Sequence, residues 1–186
     1  MLRPNPAVLH GRITSALAGG RFDWERQQVT LSSRLLTETA LEAPDDSRFT
    51  QATLEALVGF PAFRNHTFSL EAHAVHTFGD TAPPQRFAYL GGSGTLPTFD
   101  LLEFGGDRLL FFESQYSIPI ERIQIPIAGS PVITLRHMIG MAGVDSLPPF
   151  EQNLGVRLRV GPIKVDWTID PVSRDSKFSA GLALVR

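Results

Sequence analysis

Arg157, Arg159, Lys164 and Asp166 form a compact group of ionisable side chains around one predicted turn, and nothing beside them completes a catalytic set. The five histidines, His10, His66, His73, His76 and His137, are scattered. His73 and His76 lie three apart, which on a strand sends them to opposite faces and argues against a shared metal. Serine, histidine and aspartate all occur, but not in a Gly-x-Ser-x-Gly elbow. With no cysteine, thiolate metal sites, cysteine nucleophiles and disulfides are excluded. The run GGSG at 91–94 lacks the lysine and the strand-to-helix setting of a phosphate cradle and reads as a flexible loop. Gly105-Gly106 reads as ordinary turn punctuation. These residues predict no enzyme, no cofactor and no metal. The four charges read first as a solvated structural wall and second as a conductive one.

The elements that must position that wall are strands. Lys plus Arg is 17 against 19 for Asp plus Glu, a net charge of −2 with no basic run, so nucleic acid is not an expected partner. The longest charge-free stretches, 87–99 and 123–135, are short and interrupted by proline, so no spanning helix is expected. Residues 1–12 hold no apolar run or small-residue cleavage site, so an export signal is not expected within this chain. Residues 1–186 are expected to form a single domain. A mean hydropathy of 0.00 fits a soluble protein, and equally a membrane barrel in which alternate residues meet lipid.

Alternation of apolar and polar residues recurs along the chain and predicts nine strands, near 9–17, 27–36, 49–60, 67–78, 108–118, 132–141, 154–160, 163–169 and 178–185, of which the first two are the weakest. Segment 50–58 alone also fits a short helix. Gly161-Pro162 predicts a tight hairpin that places Arg157 opposite Asp166, Val156 opposite Trp167 and Arg159 opposite Lys164, the last a like-charge pair. Short connections at 19–23, 61–65 and 161–162 alternate with long ones at 38–47, 80–107 and 143–151, and 121–129 breaks the rule. One face is expected to carry Glu55, Glu71, His73, Glu113, Gln115, Arg136, Arg157, Arg159, Lys164 and Asp166, which suits a polar lumen. The other carries Phe68, Phe78, Tyr116, Trp167 and Phe178, expected to face lipid. Phe68 and Phe78, ten residues apart, would stand about 23 Å apart along the membrane normal, near the height of a lipid-facing band between aromatic girdles.

The loop segment Leu90, Gly91, Gly92, Gly94, Leu96, Pro97, Thr98 and Phe99, the strand end Tyr116, Pro119 and Ile120, and the hairpin with Lys164, Asp166 and Trp167 together resemble the C-terminal barrel region of the bacterial surface antigen family, the BamA- and TamA-like outer-membrane assembly and translocation barrels. The resemblance covers roughly 48–186. It implies an antiparallel up-and-down transmembrane β-barrel of eight to nine strands, like half of a sixteen-stranded one, in the bacterial outer membrane. It implies outer-membrane lipid as surroundings, and upstream strands or a second copy as completing partners.

The chain also departs from that family. Pro97 and Thr98 stand where the family has its loop Arg and Gly, and Met141 stands where aligning Ala142-Gly143 would put a lumenal Asp. Cation and anion are missing together, which is nearly neutral, whereas losing one partner of a buried pair costs about 3–5 kcal/mol. The expectation is a loop 80–107 that plugs or lids the barrel without the family's locking pair. The chain ends in Arg186 rather than the family's aromatic residue, and its length leaves no room for periplasmic client-binding domains. The implied function is that of a truncated or diverged member of the assembly and translocation family. The alternative reading is a soluble β-barrel that holds a small apolar ligand.

Overall fold

The computed structural model describes residues 12–43, 46–126 and 128–182. The chain runs through β1 (Thr14–Arg26), β2 (Val29–Glu42), β3 (Phe49–Pro61), β4 (Thr67–Gly79), a short hairpin of β5 (Ala88–Leu90) and β6 (Phe104–Gly106), then β7 (Arg108–Pro119), β8 (Val132–Gly143), β9 (Glu151–Val160), β10 (Ile163–Ile169) and β11 (Ser176–Leu182). Nine of these make one sheet in the order β1-β2-β3-β4-β7-β8-β9-β10-β11, every neighbouring pair antiparallel. Segment 50–58, which fits helix or strand in sequence, lies within β3. The sheet is up-and-down but open: β1 and β11 are its two edges and do not pair with each other, which corrects the expectation of a closed barrel.

The first hairpin also differs from expectation. Residues 19–23 are not a turn but the middle of β1, paired to 32–36 of β2. The chain reverses instead at Gln27 and Gln28, both left-handed at φ 50° and 69°, a two-residue turn whose twist suits a hairpin. Gly19 sits within the ladder because the β2 backbone comes close: a Cβ there would lie 2.7 Å from the Leu35 carbonyl oxygen. β2 then continues to Glu42, into the stretch expected to be loop. Residues 9–11 and 183–185 of the expected terminal strands lie outside the described residues. The Gly161-Pro162 hairpin has the expected register, with Arg157 opposite Asp166, Val156 opposite Trp167 and Arg159 opposite Lys164.

Because side chains alternate along each strand and the registers hold them in phase, the sheet has two unlike faces. One is covered by segment 80–107. Leu90 and Leu96 of that segment are 1% and 0% exposed and pack with Val75, Leu109, Phe111, Met138 and Ala142 of the sheet. The same face carries the charged residues. The other face is bare, and exposes Leu35, Leu54, Leu70, Leu135, Leu154, Val156, Leu158, Trp167 and Phe178.

Segment 80–107 is folded rather than slack. Gly91 and Gly92 take φ of 110° and 82°, and a Cβ on Gly91 would lie 2.2 Å from the Asp100 carbonyl oxygen, so glycine is required there. Gly140 on β8 leaves room for the loop, since a Cβ there would meet Leu90 at 2.8 Å. The connection after β10 turns on Asp170, whose carboxylate accepts from the Val172 N–H at 2.7 Å and the Ser173 hydroxyl at 2.9 Å. Burial pushes the Asp170 carboxyl up, but hydrogen bonds from the Val172 N–H and from Ser173 outweigh it and hold the group below its ordinary value.

Two outcomes follow from these contacts. Leu96→Ala should weaken loop docking by about 2–5 kcal/mol. Limited proteolysis should then cut within 91–103 while the strands stay protected, and an unchanged cleavage pattern would contradict the packing described. The contribution of Asp170 is complete above the ordinary carboxyl value of about 3.9 and is lost as pH falls through its lower folded value. The Val172 amide shift should report that transition by NMR, and Asp170→Asn should remove it.

Candidate functional site

The register determines which charges meet. Arg136 on β8 is opposite Gln115 of β7 on one side and Gly155 of β9 on the other. The Arg136 guanidinium reaches past β9 to β10. Its Nε donates to Glu113 at 2.5 Å and its terminal nitrogen to Asp166 at 3.2 Å. Arg157 Nε donates to the same Asp166 oxygen at 2.6 Å, and Gln115 Nε2 to Glu113 at 3.0 Å. This chain of polar contacts ties four strands, β7 to β10, across the loop-bearing face. Arg136 and Glu113 are 5% and 6% exposed in their side chains, so their pairing is a desolvated one.

All ten residues expected to share a polar face do so. Glu55 is opposite His73, and Glu71 opposite Glu113, on the same face as Arg136, Arg157, Arg159, Lys164 and Asp166. Phe68, Phe78, Tyr116, Trp167 and Phe178 all fall on the bare face. Phe68 is opposite Tyr116 and Trp167 opposite Phe178. The Tyr116 hydroxyl meets His66 Nδ1 at 2.8 Å, and Phe60 and Phe68 stack with centroids 5.0 Å apart, an aromatic cluster at the end of the sheet where β3 turns into β4. Phe78 lies at the opposite end against His76, at 4.4 Å.

An ion pair does tie the loop to the sheet, at positions other than those of the family's pair. Arg86, in the loop, meets Glu38 on β2 at 2.8 Å, and its carbonyl accepts from Gln51 Nε2 on β3 at 3.1 Å. Neither Arg86 nor Arg108 meets Glu113, whose partner is Arg136. Deeper on the wall the tie is neutral. Thr98, at a position where the surface antigen family has its Arg-Gly pair, donates its N–H to Asn153 Oδ1 at 3.1 Å and accepts from Asn153 Nδ2 at 2.7 Å. Met141 does not occupy a wall position facing the loop: it is opposite Leu110 on the bare face, and Gly140 and Ala142 point to the loop instead. Leu90, Gly91, Gly92, Leu96 and Pro97 of the expected loop motif are buried, Thr98 and Phe99 half-buried, and Gly94 exposed at the tip.

Sequence reasoning missed the pairing of Arg86 with Glu38, and missed Asn153. For Asn153 a signal existed, an amide on the polar side of an alternating strand. Among the described residues, no group of three or more His, Cys, Asp or Glu is placed to hold a metal. The carboxylates of the Glu113–Arg136–Asp166–Arg157 chain are all engaged, so what the arrangement does chemically is fix strand alignment and leave a polar surface.

Beyond the loop tip that surface opens into a recess of about 510 Å³, lined by Arg21, Arg34, Glu55, Glu71, His73 and Thr95 among others. Its charges are of both signs and stand among apolar side chains, Leu57 and Phe111 included.

Removing Arg136 alone leaves Glu113 buried with only Gln115 as partner. Arg136→Met should therefore cost about 3–5 kcal/mol, and the double change with Glu113→Leu should recover most of it. Urea unfolding followed by tryptophan fluorescence measures both, and a double variant no more stable than the single one would contradict the pairing. No protein-family model matches the chain, and no curated protein matches it in sequence.

Proposed function

We propose that this chain supplies nine strands to the wall of a bacterial outer-membrane β-barrel, with 80–107 folded into the interior as a plug, as a diverged relative of the surface antigen family. The observation that carries this reading is the distribution of charge. Among the described strands, Arg26 at a hairpin tip and Arg108 at a strand start are the only Asp, Glu, Lys or Arg on the bare face. That face exposes Leu135 at 48%, Trp167 at 48% and Phe178 at 66%. Water does not favour so large a continuous apolar surface, whereas lipid does. Most strands have ten to fourteen residues, and a tilted strand needs about 9–11 to cross a bilayer.

The soluble-barrel alternative requires the apolar face to line the interior. Here the loop lies on the charged face, and the recess beyond its tip carries arginine, glutamate and histidine among its lining, poor company for an apolar ligand.

Strand direction bears on how such a barrel closes. In an up-and-down sheet of nine, the first and last strands run the same way, so β1 and β11 would meet as a parallel pair. A second copy inserted in the same orientation meets the same obstacle. An antiparallel barrel is completed by an odd number of further strands, which also satisfies the edge backbone groups that hydrocarbon cannot. The interior agrees: about eight strands enclose only their own side chains, and here the inner face holds a folded loop.

The chain has no cysteine, so single cysteines report cleanly. In cells expressing the full chain, cysteines at Leu154, Val156 and Leu158 should resist a hydrophilic maleimide and react with a bilayer-soluble one. Cysteines at Arg157 and Arg159 should show the reverse preference. Equal hydrophilic labelling along β9 would overturn the membrane reading.

A further inference from the structure

The charged face ends, near the Gly161-Pro162 turn, in a second recess of about 400 Å³ lined by Asn65, Thr67, Gln115, Arg157, Arg159 and Lys164 among others. Among the described residues, no carboxylate lines it. Arg159 and Lys164 are directly opposite each other on β9 and β10, an arrangement that costs stability when nothing relieves it. The nearby anions are already engaged: Asp166 accepts from Arg136 and Arg157, Glu113 from Arg136 and Gln115, and Glu121 from Asn65. Among the described residues, neither Arg159 nor Lys164 has an ion-pair partner.

We propose that this recess is a binding site for an oxyanion carried by a water-soluble ligand, a phosphate or pyrophosphate group above all. A guanidinium offers a planar fork of donors to such a group and an ammonium a compact charge, and here the two stand side by side. Thr67 in the same lining offers a hydroxyl, and Asn65 and Gln115 each keep a second amide N–H beyond the one given to Glu121 and Glu113. The recess opens on the loop-bearing face, away from the bare one, so the ligand arrives through water rather than from a lipid headgroup. It has the same lining whatever the bare face meets, and the proposal therefore stands apart from the membrane reading.

The test uses inorganic pyrophosphate with the full chain in detergent solution, followed by calorimetry and by the unfolding midpoint. Saturable binding is expected, with a rise in midpoint. Arg159→Gln or Lys164→Gln should each weaken binding about tenfold or more, as loss of a charge-assisted contact does. Lys164→Gln should also raise the midpoint in phosphate-free buffer, because it removes the repulsion, and should lose the pyrophosphate-dependent increment. Lys177→Gln, on β11 outside the recess, should bind as the parent does. Absence of saturable binding by the parent protein would overturn the proposal. So would equal weakening by Lys177→Gln, which would mark a diffuse attraction to positive charge. Vesicles with anionic headgroups, added in place of pyrophosphate, should not protect the Lys164 amine from acylation; protection there would assign the site to lipid and overturn the soluble ligand.

Discussion

Everything in this molecule depends on nine strands keeping the same phase. A strand alternates its side chains with a period of two, so a slip of one residue anywhere would carry charges onto the bare face and leucines onto the polar one. The phase is held by the pairing itself, residue against residue from Thr14 to Leu182, with a single irregularity between Thr14 and Ser15 at the sheet edge. The Arg136 contacts reinforce it where the strands are shortest. β10 and β11 have seven residues each, and the link from Arg136 to Asp166 spans from β8 to β10. A one-residue slip of β10 would replace Asp166 by Val165 or Trp167 at that contact.

The loop solves a different problem. A sheet whose covered face is charged has no apolar core of its own, and the bare face contributes none, since among the described residues no segment packs on it. Segment 80–107 supplies one locally: Leu90 and Leu96 close over Val75, Leu109, Phe111, Met138 and Ala142, the apolar patch near the end of β4, β7 and β8 from which the loop departs. Charged residues of the same strands begin one step further along, at Glu113 and Arg136. The wall is therefore divided along its height into a dry part under the loop and a wet part beyond it.

What the sequence disclosed follows the same division between local and non-local causes. The 161–162 hairpin and the two faces of β9 and β10 were legible because alternation and turn chemistry agree there. The first hairpin was not, because GGRFD at 19–23 carries the composition of a turn and sits in a ladder, whereas Gln27 and Gln28 adopt left-handed backbone without the residues that favour it. The ten polar-face residues could be assigned by parity alone. The pairing of Arg86 with Glu38 could not, since it joins segments 48 positions apart across a loop whose path no periodicity encodes. Met141 shows the limit of matching motifs: an alignment anchored on Ala142-Gly143 is off by one in facing, and on a strand one residue is the whole distance between interior and exterior.

The two ties that hold the loop differ in chemistry as burial requires. Arg86 keeps 36% of its side chain exposed and Glu38 13%, so their ion pair is less desolvated than the Arg136–Glu113 pair at 5% and 6%. Asn153 is completely buried, and a cation brought to that depth would have to shed its water for a single partner. An amide facing a threonine backbone N–H and hydroxyl satisfies both groups without that penalty, because each donor finds an acceptor and no net charge is enclosed. Where a charge does go deep, at Arg136, it has Glu113 and Asp166 around it. With no cation at 97–98 the loop is still tethered. Its ionic contact lies at Arg86–Glu38, and a neutral hydrogen-bonded pair holds it where the sheet is dry, so that geometry rather than charge sets the position of Thr98.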